Sequence, residues 1–179
     1  MSSSKRKTIF VDRDGTLIEE VNFLSRVEDL RLFSFTKEAI ELLKGEGFQL
    51  IVITNQSGIA RGLYDEHSMH RIHQEIQREL DNAIDAFYFC PHLPDDGCEC
   101  RKPKLQMLFD ADSDLGVDYS ASWLIGDKTL DVETGFNAGI RTAMVKTGYG
   151  KMDSNSLARK PDILAANLLE AARQIISFR

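Results

Sequence analysis

The chain has 179 residues, a hydrophobic content of 42% and a charged content of 28%, as expected for a globular protein with one sizeable core. Its net charge of −6 argues against broad binding to nucleic acids or acidic membranes, because both need a basic surface. Apolar runs stay far below the roughly 20 residues of a membrane span. Three cysteines, an odd number, argue against a disulfide framework.

The N-terminal segment, residues 1–7, is rich in serine and basic residues, and the apolar stretch behind it is too short for the core of a signal peptide. We therefore expect a flexible tail over residues 1–7 and a single domain over residues 8–179. The same pattern predicts a cytoplasmic protein.

Short apolar runs alternate with amphipathic stretches along the rest of the chain. The runs predict strands at Thr8–Val11, Gln49–Thr54, Ala86–Phe89, Ser122–Ile125 and Thr142–Val145. The amphipathic stretches predict helices at Lys37–Lys44, from Glu66 to about Leu80 with Asp65 as N-cap, at Leu105–Leu115, after the fourth strand to Ala138, and at Ala165–Ile176. Because the two patterns alternate, we expect an α/β fold, a parallel sheet with helices on both faces.

The first strand ends on two carboxylates, Asp12 and Asp14, before Gly15 and Thr16 turn the chain away. Strand ends of a parallel sheet bind ligands, and carboxylates this close repel each other unless a cation or a division of roles justifies them. One could be a nucleophile and the other an acid and base, with a metal between them. A surface turn would also explain the Asp-Gly pair.

Polar residues also follow the second and fourth strands. Residues 54–58, Thr-Asn-Gln-Ser-Gly, can present several donors to an anion, or they form a solvated loop. At the fourth strand, we interpret Asp127 as a ligand of Mg²⁺, which prefers hard oxygen donors. Asp131 could orient a neighbouring side chain or simply favour the helix N-terminus.

All three cysteines and one of the four histidines lie within eleven residues, at Cys90, His92, Cys98 and Cys100. Three thiolates and an imidazole make a closed tetrahedral set for zinc. With no open ligand position, the zinc would be structural and would rigidify the loop. The alternative is three unrelated thiols, but random placement would scatter them.

This loop leads directly into Arg101 and Lys102. A guanidinium fork beside a lysine charge suits a phosphate group, although a bare Arg-Lys pair is more often a solvated face. His67, His70 and His73 recur every third residue, so their directions on a helix drift by about 60° per step. We interpret these histidines as structural or exposed, and Trp123 as a core residue.

Four elements, in this order and each at a strand end, resemble the motifs of the haloacid dehalogenase (HAD) superfamily of phosphatases. They are Asp12-x-Asp14-Gly-Thr, the turn at Thr54, Lys102, and Gly126-Asp127-x-x-x-Asp131. The cysteine loop and the run Thr54-Asn-Gln-Ser-Gly-Ile-Ala-Arg61-Gly62 further resemble the D-glycero-D-manno-heptose 1,7-bisphosphate 7-phosphatases and the related histidinol-phosphatase domains. The resemblance covers roughly residues 7–150 and implies a Rossmann-like fold without a large cap domain.

The resemblance also implies a role for each motif. Asp12 would be the nucleophile that forms an aspartyl-phosphate, and Asp14 the proton donor and acceptor. The expected phosphoryl-holding side chains are Thr54, Arg101 and Lys102, with Asp131 orienting Lys102. The expected metal ligands are Asp12, Asp127 and the Asp14 backbone carbonyl for Mg²⁺, and Cys90, His92, Cys98 and Cys100 for zinc. The expected substrate-facing residues are Glu20, Val21, Asn22, Phe23, Asn55, Gln56, Ser57, Arg61 and Lys128.

The implied reaction is removal of the 7-phosphate of D-glycero-D-manno-heptose 1,7-bisphosphate, on the ADP-heptose route to lipopolysaccharide core, with histidinol phosphate as the alternative substrate. Heptose phosphatases often carry Asp-x-Gly-Tyr where this chain has Glu20-Val-Asn-Phe23, so the tyrosine hydroxyl is absent. The short cysteine loop is closer to the histidinol phosphatases, whereas Ile59-Ala-Arg61-Gly favours the heptose side.

We expect a small phosphorylated sugar as the partner, a monomer, and no binding to nucleic acid or membrane. The competing class is a zinc-stabilised module that binds phosphate without turning it over. The complete set of Asp12, Asp14, Thr54, Lys102 and Asp127 weighs against it, because a binder would tolerate the loss of a member. A polynucleotide phosphatase is disfavoured by the acidic balance of the chain.

Overall fold

The computed structural model describes residues 5–178 and confirms the expected α/β architecture. Its strands form one parallel sheet in the order β3-β2-β1-β4-β5-β6. The strands are β1 Thr8–Val11, β2 Gln49–Asn55, β3 Ala86–Cys90, β4 Trp123–Gly126, β5 Arg141–Val145 and β6 Ile163–Ala165. The helices are α1 Thr36–Gly45, α2 Glu66–Glu79, α3 Gln106–Leu115, α4 Thr129–Ala138, α5 Gly150–Asp153 and α6 Leu168–Ser177. Two short 3₁₀ helices lie at Val27–Asp29 and Tyr119–Ala121.

The strand order places a topological switch point at β1. From β1 the chain builds outward to β2 and β3 on one side, then returns to build β4, β5 and β6 on the other. Val11, the last residue of β1, lies opposite Val52 of β2 and Ile125 of β4. In open α/β sheets ligands bind beyond the carboxyl ends of the strands at such a reversal, so the fold directs attention to the residues that follow β1, β2 and β4.

The central strands are apolar because both faces of the sheet are covered. All four residues of β1 and of β4 are buried, and successive residues point to opposite faces. Ile9 and Val11 join the apolar cluster beneath α1, α2 and α6, whereas Phe10 joins the smaller cluster beneath α3. Burial on both faces fixes the position of the carboxyl end of β1, and with it the position of the carboxylates that follow.

The chain-order prediction is correct for five strands and wrong at the C-terminal end. The last predicted helix starts at Ala165, but Ala165 is the final residue of β6, and α6 begins at Leu168. The side chain of Asn167 caps that helix by accepting a hydrogen bond from the Glu170 backbone N–H at 2.9 Å. A three-residue strand is too short to show the strand period of two, and the four-residue helix α5 is too short to show the helical period of 3.6. Trp123 is 2% exposed, so its assignment to the core is confirmed.

The expected N-terminal tail falls partly outside the described residues, because the description begins at residue 5. The Asp118 backbone N–H donates to the Arg6 carbonyl at 2.9 Å, and the Gln49 N–H donates to the Lys7 carbonyl at 3.0 Å. These bonds tie Arg6 and Lys7 to the sheet. Over residues 5–178, no helix combines the length and apolarity needed to cross a membrane.

Candidate active site

A pocket opens at the carboxyl ends of β1, β2 and β4 and gathers most of the residues singled out from the sequence. Its walls come from the β1–α1 connection, the turn after β2, the segment after the cysteine loop, and the start of α4. The lining residues are Asp12, Arg13, Asp14, Glu20, Val21, Asn22, Phe23, Leu24, Thr54, Asn55, Gln56, Ser57, Tyr64, Arg101, Lys102, Lys128, Leu130, Asp131 and Tyr149. Arg61 does not line it; its guanidinium carbon lies 5.8 Å from the centroid of the Phe23 ring at the rim.

Lys102 is a buried cation at the centre of the pocket floor. Its Nζ donates to Asp12 Oδ1 and to Asp131 Oδ1, each at 2.6 Å, and to the Ile53 carbonyl at 3.0 Å. Burial opposes the charge, but the carboxylates of Asp12 and Asp131 outweigh it and raise the pKa of Lys102. The ammonium therefore stays charged, and it places a positive charge next to the carboxyl end of β1.

Asn55 and Asp131 hold the cation in place. The Asn55 side chain accepts from the Lys102 backbone N–H at 3.0 Å and donates to the Lys102 carbonyl at 3.3 Å. Asp131 uses one oxygen for Lys102 Nζ and the other for the Lys128 backbone N–H at 3.1 Å. Both sequence interpretations of Asp131 therefore hold: it contacts Lys102 and caps the start of α4. Asn55, expected only at the substrate, also anchors the Lys102 backbone.

Three buried carboxylates, Asp12, Asp127 and Asp131, bring oxygen atoms within 4.8 Å of one another. Burial raises the pKa of Asp12 to about 6 and that of Asp127 to about 8, and the neighbouring carboxylates add to both shifts. Asp127 Oδ2 accepts from the Tyr149 backbone N–H at 2.8 Å, whereas Asp127 Oδ1 is buried with no partner among residues 5–178. Crowded carboxylates with an unpartnered buried oxygen are the donor set that a hard divalent cation satisfies.

Two glycines close the floor behind Asp127. A Cβ atom on Gly15 would lie 2.3 Å from Asp127 Oδ2, and one on Gly148 would lie 2.2 Å from the same atom. Both glycines have positive φ angles, +84° and +53°, which L side chains rarely adopt. The carboxylate can occupy this position only because neither residue has a side chain.

Asp14 is held by three donors. Arg13, the residue between the two carboxylates, is 1% exposed and donates from Nε to Asp14 Oδ2 at 2.9 Å and from Nη2 to Oδ1 at 3.0 Å. Gln56 Nε2 donates to Oδ2 at 2.9 Å. Burial opposes ionisation of Asp14, but the Arg13 guanidinium and these hydrogen bonds outweigh it and lower its pKa. Sequence reasoning missed Arg13, although its place between two motif carboxylates marked it.

Behind these donors lie two side chains that no sequence pattern connected with the site. Arg13 Nη1 lies 3.2 Å from His73 Nε2 on α2, and the His73 ring stacks on Phe87 with centroids 4.5 Å apart. Burial and Arg13 lower the pKa of His73 to about 3, so the imidazole is neutral and Nε2 accepts from Arg13. The Tyr64 hydroxyl donates to Gln56 Oε1 at 2.5 Å.

The outer rim is formed by the β1–α1 connection and Lys128. Lys128 Nζ lies 3.5 Å from Glu20 Oε2 and 4.7 Å from the centroid of the Tyr149 ring. Burial opposes its charge, but Asp12 and the other nearby carboxylates raise the pKa of Lys128. Phe23 is 38% exposed and has a φ of +56°, which is uncommon for a residue with a side chain. The rim thus offers a cation, a carboxylate and an aromatic ring to the body of a ligand.

The cysteine loop brings its four predicted side chains together beside the pocket. Cys90 Sγ lies 3.0 Å from Cys100 Sγ and 3.5 Å from Cys98 Sγ. His92 Nδ1 lies 3.2 Å from Cys100 Sγ and 3.6 Å from Cys90 Sγ. Ligand atoms around a tetrahedral zinc lie about 3.8 Å apart, so the four groups are close to that geometry. All three cysteines are free of disulfides.

Arg101 connects this loop to the pocket. Its Nη1 donates to the His92 carbonyl at 3.2 Å, while its side chain lines the pocket together with Lys102. The position of the guanidinium therefore depends on the shape of the cysteine loop.

Comparison with known proteins places this geometry in a family. Residues 99–171 match the family model described as HAD-hydrolase-like. The chain is 32% identical, over 92% of its length and 96% of the relative's, to the D-glycero-beta-D-manno-heptose-1,7-bisphosphate 7-phosphatase of Haemophilus ducreyi. It is 35% identical, over 98% of its length and 100% of the relative's, to the D-glycero-alpha-D-manno-heptose-1,7-bisphosphate 7-phosphatase of Photorhabdus laumondii.

Solved structures agree. The crystal structure of the D,D-heptose 1,7-bisphosphate phosphatase from B. bronchiseptica, complexed with magnesium and phosphate, superimposes with a TM-score of 0.89 at 30% identity, covering 97% of this chain and 99% of that one. The corresponding phosphatase from Burkholderia thailandensis gives a TM-score of 0.73 at 26% identity, covering 96% and 99%. Together with the motifs at the strand ends, these similarities show that the chain belongs to the HAD superfamily, in the family of the D-glycero-D-manno-heptose-1,7-bisphosphate 7-phosphatases.

Proposed function

We propose that this protein is a Mg²⁺-dependent phosphatase that removes the 7-phosphate of D-glycero-D-manno-heptose 1,7-bisphosphate through an aspartyl-phosphate intermediate. One observation carries the proposal: at the switch point of the sheet a buried carboxylate, Asp12, is bonded to the Lys102 cation and lies within 4.8 Å of the carboxylate of Asp127, which has an unpartnered buried oxygen. The named activities of the relatives and the magnesium and phosphate in the B. bronchiseptica structure support it. The product would enter the ADP-heptose route to lipopolysaccharide core.

Asp12 is the nucleophile. Lys102 Nζ occupies Asp12 Oδ1 at 2.6 Å, so we assign the attack on phosphorus to Oδ2. As the new O–P bond forms, the P–O bond to the sugar breaks. The covalent intermediate formed by such a nucleophilic side chain divides one slow hydrolysis into two faster steps.

Asp12, Asp127 and the backbone carbonyl of Asp14 are the proposed Mg²⁺ ligands. When bound, the ion supplies positive charge that offsets both the phosphoryl oxygens and the crowded carboxylates. Asp131 is not among these ligands, because both of its oxygens already accept hydrogen bonds, from Lys102 Nζ and from the Lys128 backbone N–H.

Asp14 moves the protons. Asp14 is ionised in the free site, but the negative charge of a bound phosphate opposes that ionisation, so in this proposal Asp14 is protonated in the substrate complex. In the first step its proton goes to the departing sugar oxygen, and in the second it takes a proton from the water that attacks the phosphorus of the aspartyl-phosphate. That attack breaks the bond between phosphorus and the Asp12 oxygen, releases inorganic phosphate and restores the Asp12 carboxylate.

Thr54, Lys102 and Arg101 hold the phosphoryl oxygens. Gln56 Nε2 donates to Thr54 Oγ1 at 2.7 Å, which leaves the hydroxyl hydrogen of Thr54 free to point at the phosphoryl group. The rim residues face the rest of the substrate. They are Glu20, Val21, Asn22, Phe23, Asn55, Gln56, Ser57 and Lys128, with Arg61 behind Phe23.

One structural zinc per chain completes the proposal, bound by Cys90, His92, Cys98 and Cys100. Its support is the closed ligand set and the separations of 3.0–3.6 Å among the four ligand atoms. The zinc takes no part in the chemical step. It holds the loop from which Arg101 reaches the pocket.

The protein is further proposed to work in the cytoplasm as a monomer, with a small phosphorylated sugar as its partner and without nucleic acid or membrane. The support is the net charge of −6, which disfavours anionic surfaces, and thiols that serve as metal ligands, which a reducing compartment preserves.

The test is phosphate release with Mg²⁺, comparing kcat/KM for heptose 1,7-bisphosphate, in both anomers, with kcat/KM for histidinol phosphate. We expect a preference for the heptose of a hundredfold or more, about 2.7 kcal/mol in transition-state binding. The reverse preference would reassign the substrate to histidinol phosphate, the candidate that the short cysteine loop favours. Activity on neither substrate would contradict the proposed function.

A further inference from the structure

We propose that His73 and Tyr64 are positioning residues for Asp14, and that the network they hold leaves Asp14 Oδ1 as the oxygen that exchanges the proton. The inference rests on the proposed phosphatase function and deepens it. Neither side chain carries the reaction itself; each acts through the donor it orients, His73 through Arg13 and Tyr64 through Gln56.

A count of acceptor sites selects the reacting oxygen. A carboxylate offers about four lone-pair sites, two on each oxygen. On Asp14 Oδ2, both sites are taken, one by Arg13 Nε and one by Gln56 Nε2, each at 2.9 Å. Oδ1 accepts from Arg13 Nη2 alone, at 3.0 Å. The remaining site on Oδ1 is therefore the place where a proton can reside while the other three bonds persist.

His73 sets the plane of the Arg13 guanidinium. Arg13 is buried, and its fork can face both Asp14 oxygens only if the third nitrogen, Nη1, also has an acceptor. His73 Nε2 supplies that acceptor at 3.2 Å, from a ring fixed by stacking on Phe87 at 4.5 Å. An apolar residue at this position would leave Nη1 unsatisfied and free the guanidinium to rotate away from Asp14.

Tyr64 sets the orientation of the Gln56 amide. An amide reversed by 180° would turn its oxygen toward the Asp14 carboxylate and replace a hydrogen bond with repulsion. The Tyr64 hydroxyl donates to Gln56 Oε1 at 2.5 Å, which fixes that oxygen on the far side. Nε2 can then donate both to Asp14 Oδ2 and to Thr54 Oγ1. Gly58 leaves the space for this arrangement, since a Cβ there would lie 2.2 Å from the Tyr64 ring.

The prediction that follows concerns leaving groups. A sugar oxygen leaves as a strong base and needs the Asp14 proton, whereas p-nitrophenolate leaves as a stable anion and hardly needs it. Since kcat/KM covers only the steps up to release of the alcohol, it reports this proton transfer without the later hydrolysis. A positioning defect at Asp14 should therefore lower kcat/KM for the sugar phosphate far more than for p-nitrophenyl phosphate.

The experiment compares four variants of the full chain with the wild type on heptose 1,7-bisphosphate and on p-nitrophenyl phosphate, with Mg²⁺ present. We expect His73→Leu to lower kcat/KM for the sugar phosphate about tenfold or more and for p-nitrophenyl phosphate less than about threefold. His73→Gln, which keeps an acceptor, should recover most of that loss. Tyr64→Phe should show the same selectivity for the sugar phosphate. His67→Leu, exposed near the start of the same helix, should change the rate on neither substrate.

Equal losses on both substrates, or a Gln variant no better than the Leu variant, would overturn the inference in favour of a structural role. If His73→Leu does not fold, Tyr64→Phe, which deletes a single hydroxyl, carries the same comparison. A wild type that hydrolyses neither substrate would contradict the proposed function instead, so the two failures are distinct.

Discussion

The active-site pocket and the cysteine loop lie side by side but are assembled in opposite ways. In the pocket, the bond between Lys102 and Asp12 joins residues 90 positions apart, and both residues are only 4% exposed. In the loop, the four candidate ligands come from eleven consecutive residues, and His92 is exposed to solvent.

This contrast shows where each geometry comes from. The sheet and its buried ion pairs set the pocket, which exists without any ligand because distant strands hold it in place. Residues 91–99 of the cysteine loop are all exposed or half-buried, so we expect the loop to gain its shape from the metal that its side chains bind. Changes in the pocket should therefore alter rates more than folding, and changes in the loop should alter local stability first and rates second.

The strongest response should come from the pocket. Asp12→Asn should lower kcat by at least about a thousandfold, because an amide cannot form the aspartyl-phosphate. Thermal unfolding should be little affected, since the amide oxygen can still accept from Lys102 and the repulsion among carboxylates is relieved. Steady-state kinetics and calorimetry of the same sample check both statements, with Glu133→Gln on the exposed face of α4 as control. Near-full activity would refute the covalent mechanism.

The cysteine loop should respond in the other order. Cys100→Ser should abolish zinc binding and destabilise the protein by about 3 kcal/mol, the effect of losing a cross-link in a short loop, or roughly 6–12 °C in Tm. Activity should fall less than in Asp12→Asn, through the displacement of Arg101. Metal analysis of protein purified without added zinc and a melting curve test this, with Asp95→Asn in the same loop as control. Full activity in wild-type protein without zinc would contradict the structural role.

A third test uses pH. His73 has a pKa of about 3 in the folded protein and about 6.5 when unfolded, so below pH 6.5 the unfolded chain binds a proton that the folded protein excludes. Stability should therefore be present above pH 6.5 and decrease as the pH falls toward 3, by about 2 kcal/mol between pH 8 and pH 5. Denaturant unfolding of wild type and His73→Gln at several pH values isolates this contribution. Parallel pH profiles for the two proteins would count against a buried neutral His73.

The mildest change is expected at the edge of the pocket. Gly58→Ala would place a Cβ 2.2 Å from the Tyr64 ring, which should displace the hydroxyl from Gln56 and lower kcat/KM for the sugar phosphate about fivefold, close to 1 kcal/mol. Gly45→Ala is the matched control, since no atom lies within 4 Å of its Cβ position and alanine favours a helix. If both substitutions leave kcat/KM unchanged, the Tyr64 contact has no effect on the reaction.

Sequence reasoning succeeded where a signal is local. Buried strands show as apolar runs, and carboxylates directly after such a run, as at Asp12 and Asp127, can be placed at one edge of the sheet from their position in the chain alone. The cysteine loop is equally readable, because all of its members are neighbours in sequence. The strand β6 was missed because three residues carry no periodicity.

The supporting network could not be read in this way. His73 lies 60 positions from Arg13, and its sequence context is that of an ordinary helix, so only the packing of α2 against β3 reveals the contact. Tyr64 lies in a loop whose hydrogen bond to Gln56 depends on the turn geometry. Side chains that act through another side chain leave no local pattern, and such partners are where prediction from sequence ends.

The bare backbone at Gly15 and Gly148 has a consequence for how such an enzyme can change. Since neither position admits a side chain beside Asp127, we expect substitutions at these two glycines to displace the carboxylate and abolish activity. In the rim segment Glu20–Phe23, by contrast, Asn22 and Phe23 are exposed to solvent, and no residue of the segment is packed against Asp127 in this way. New substrate preferences in this lineage should therefore arise by changes in that outer segment, and a directed-evolution library confined to residues 20–23 would vary the pocket wall while leaving the carboxylates and Lys102 unchanged.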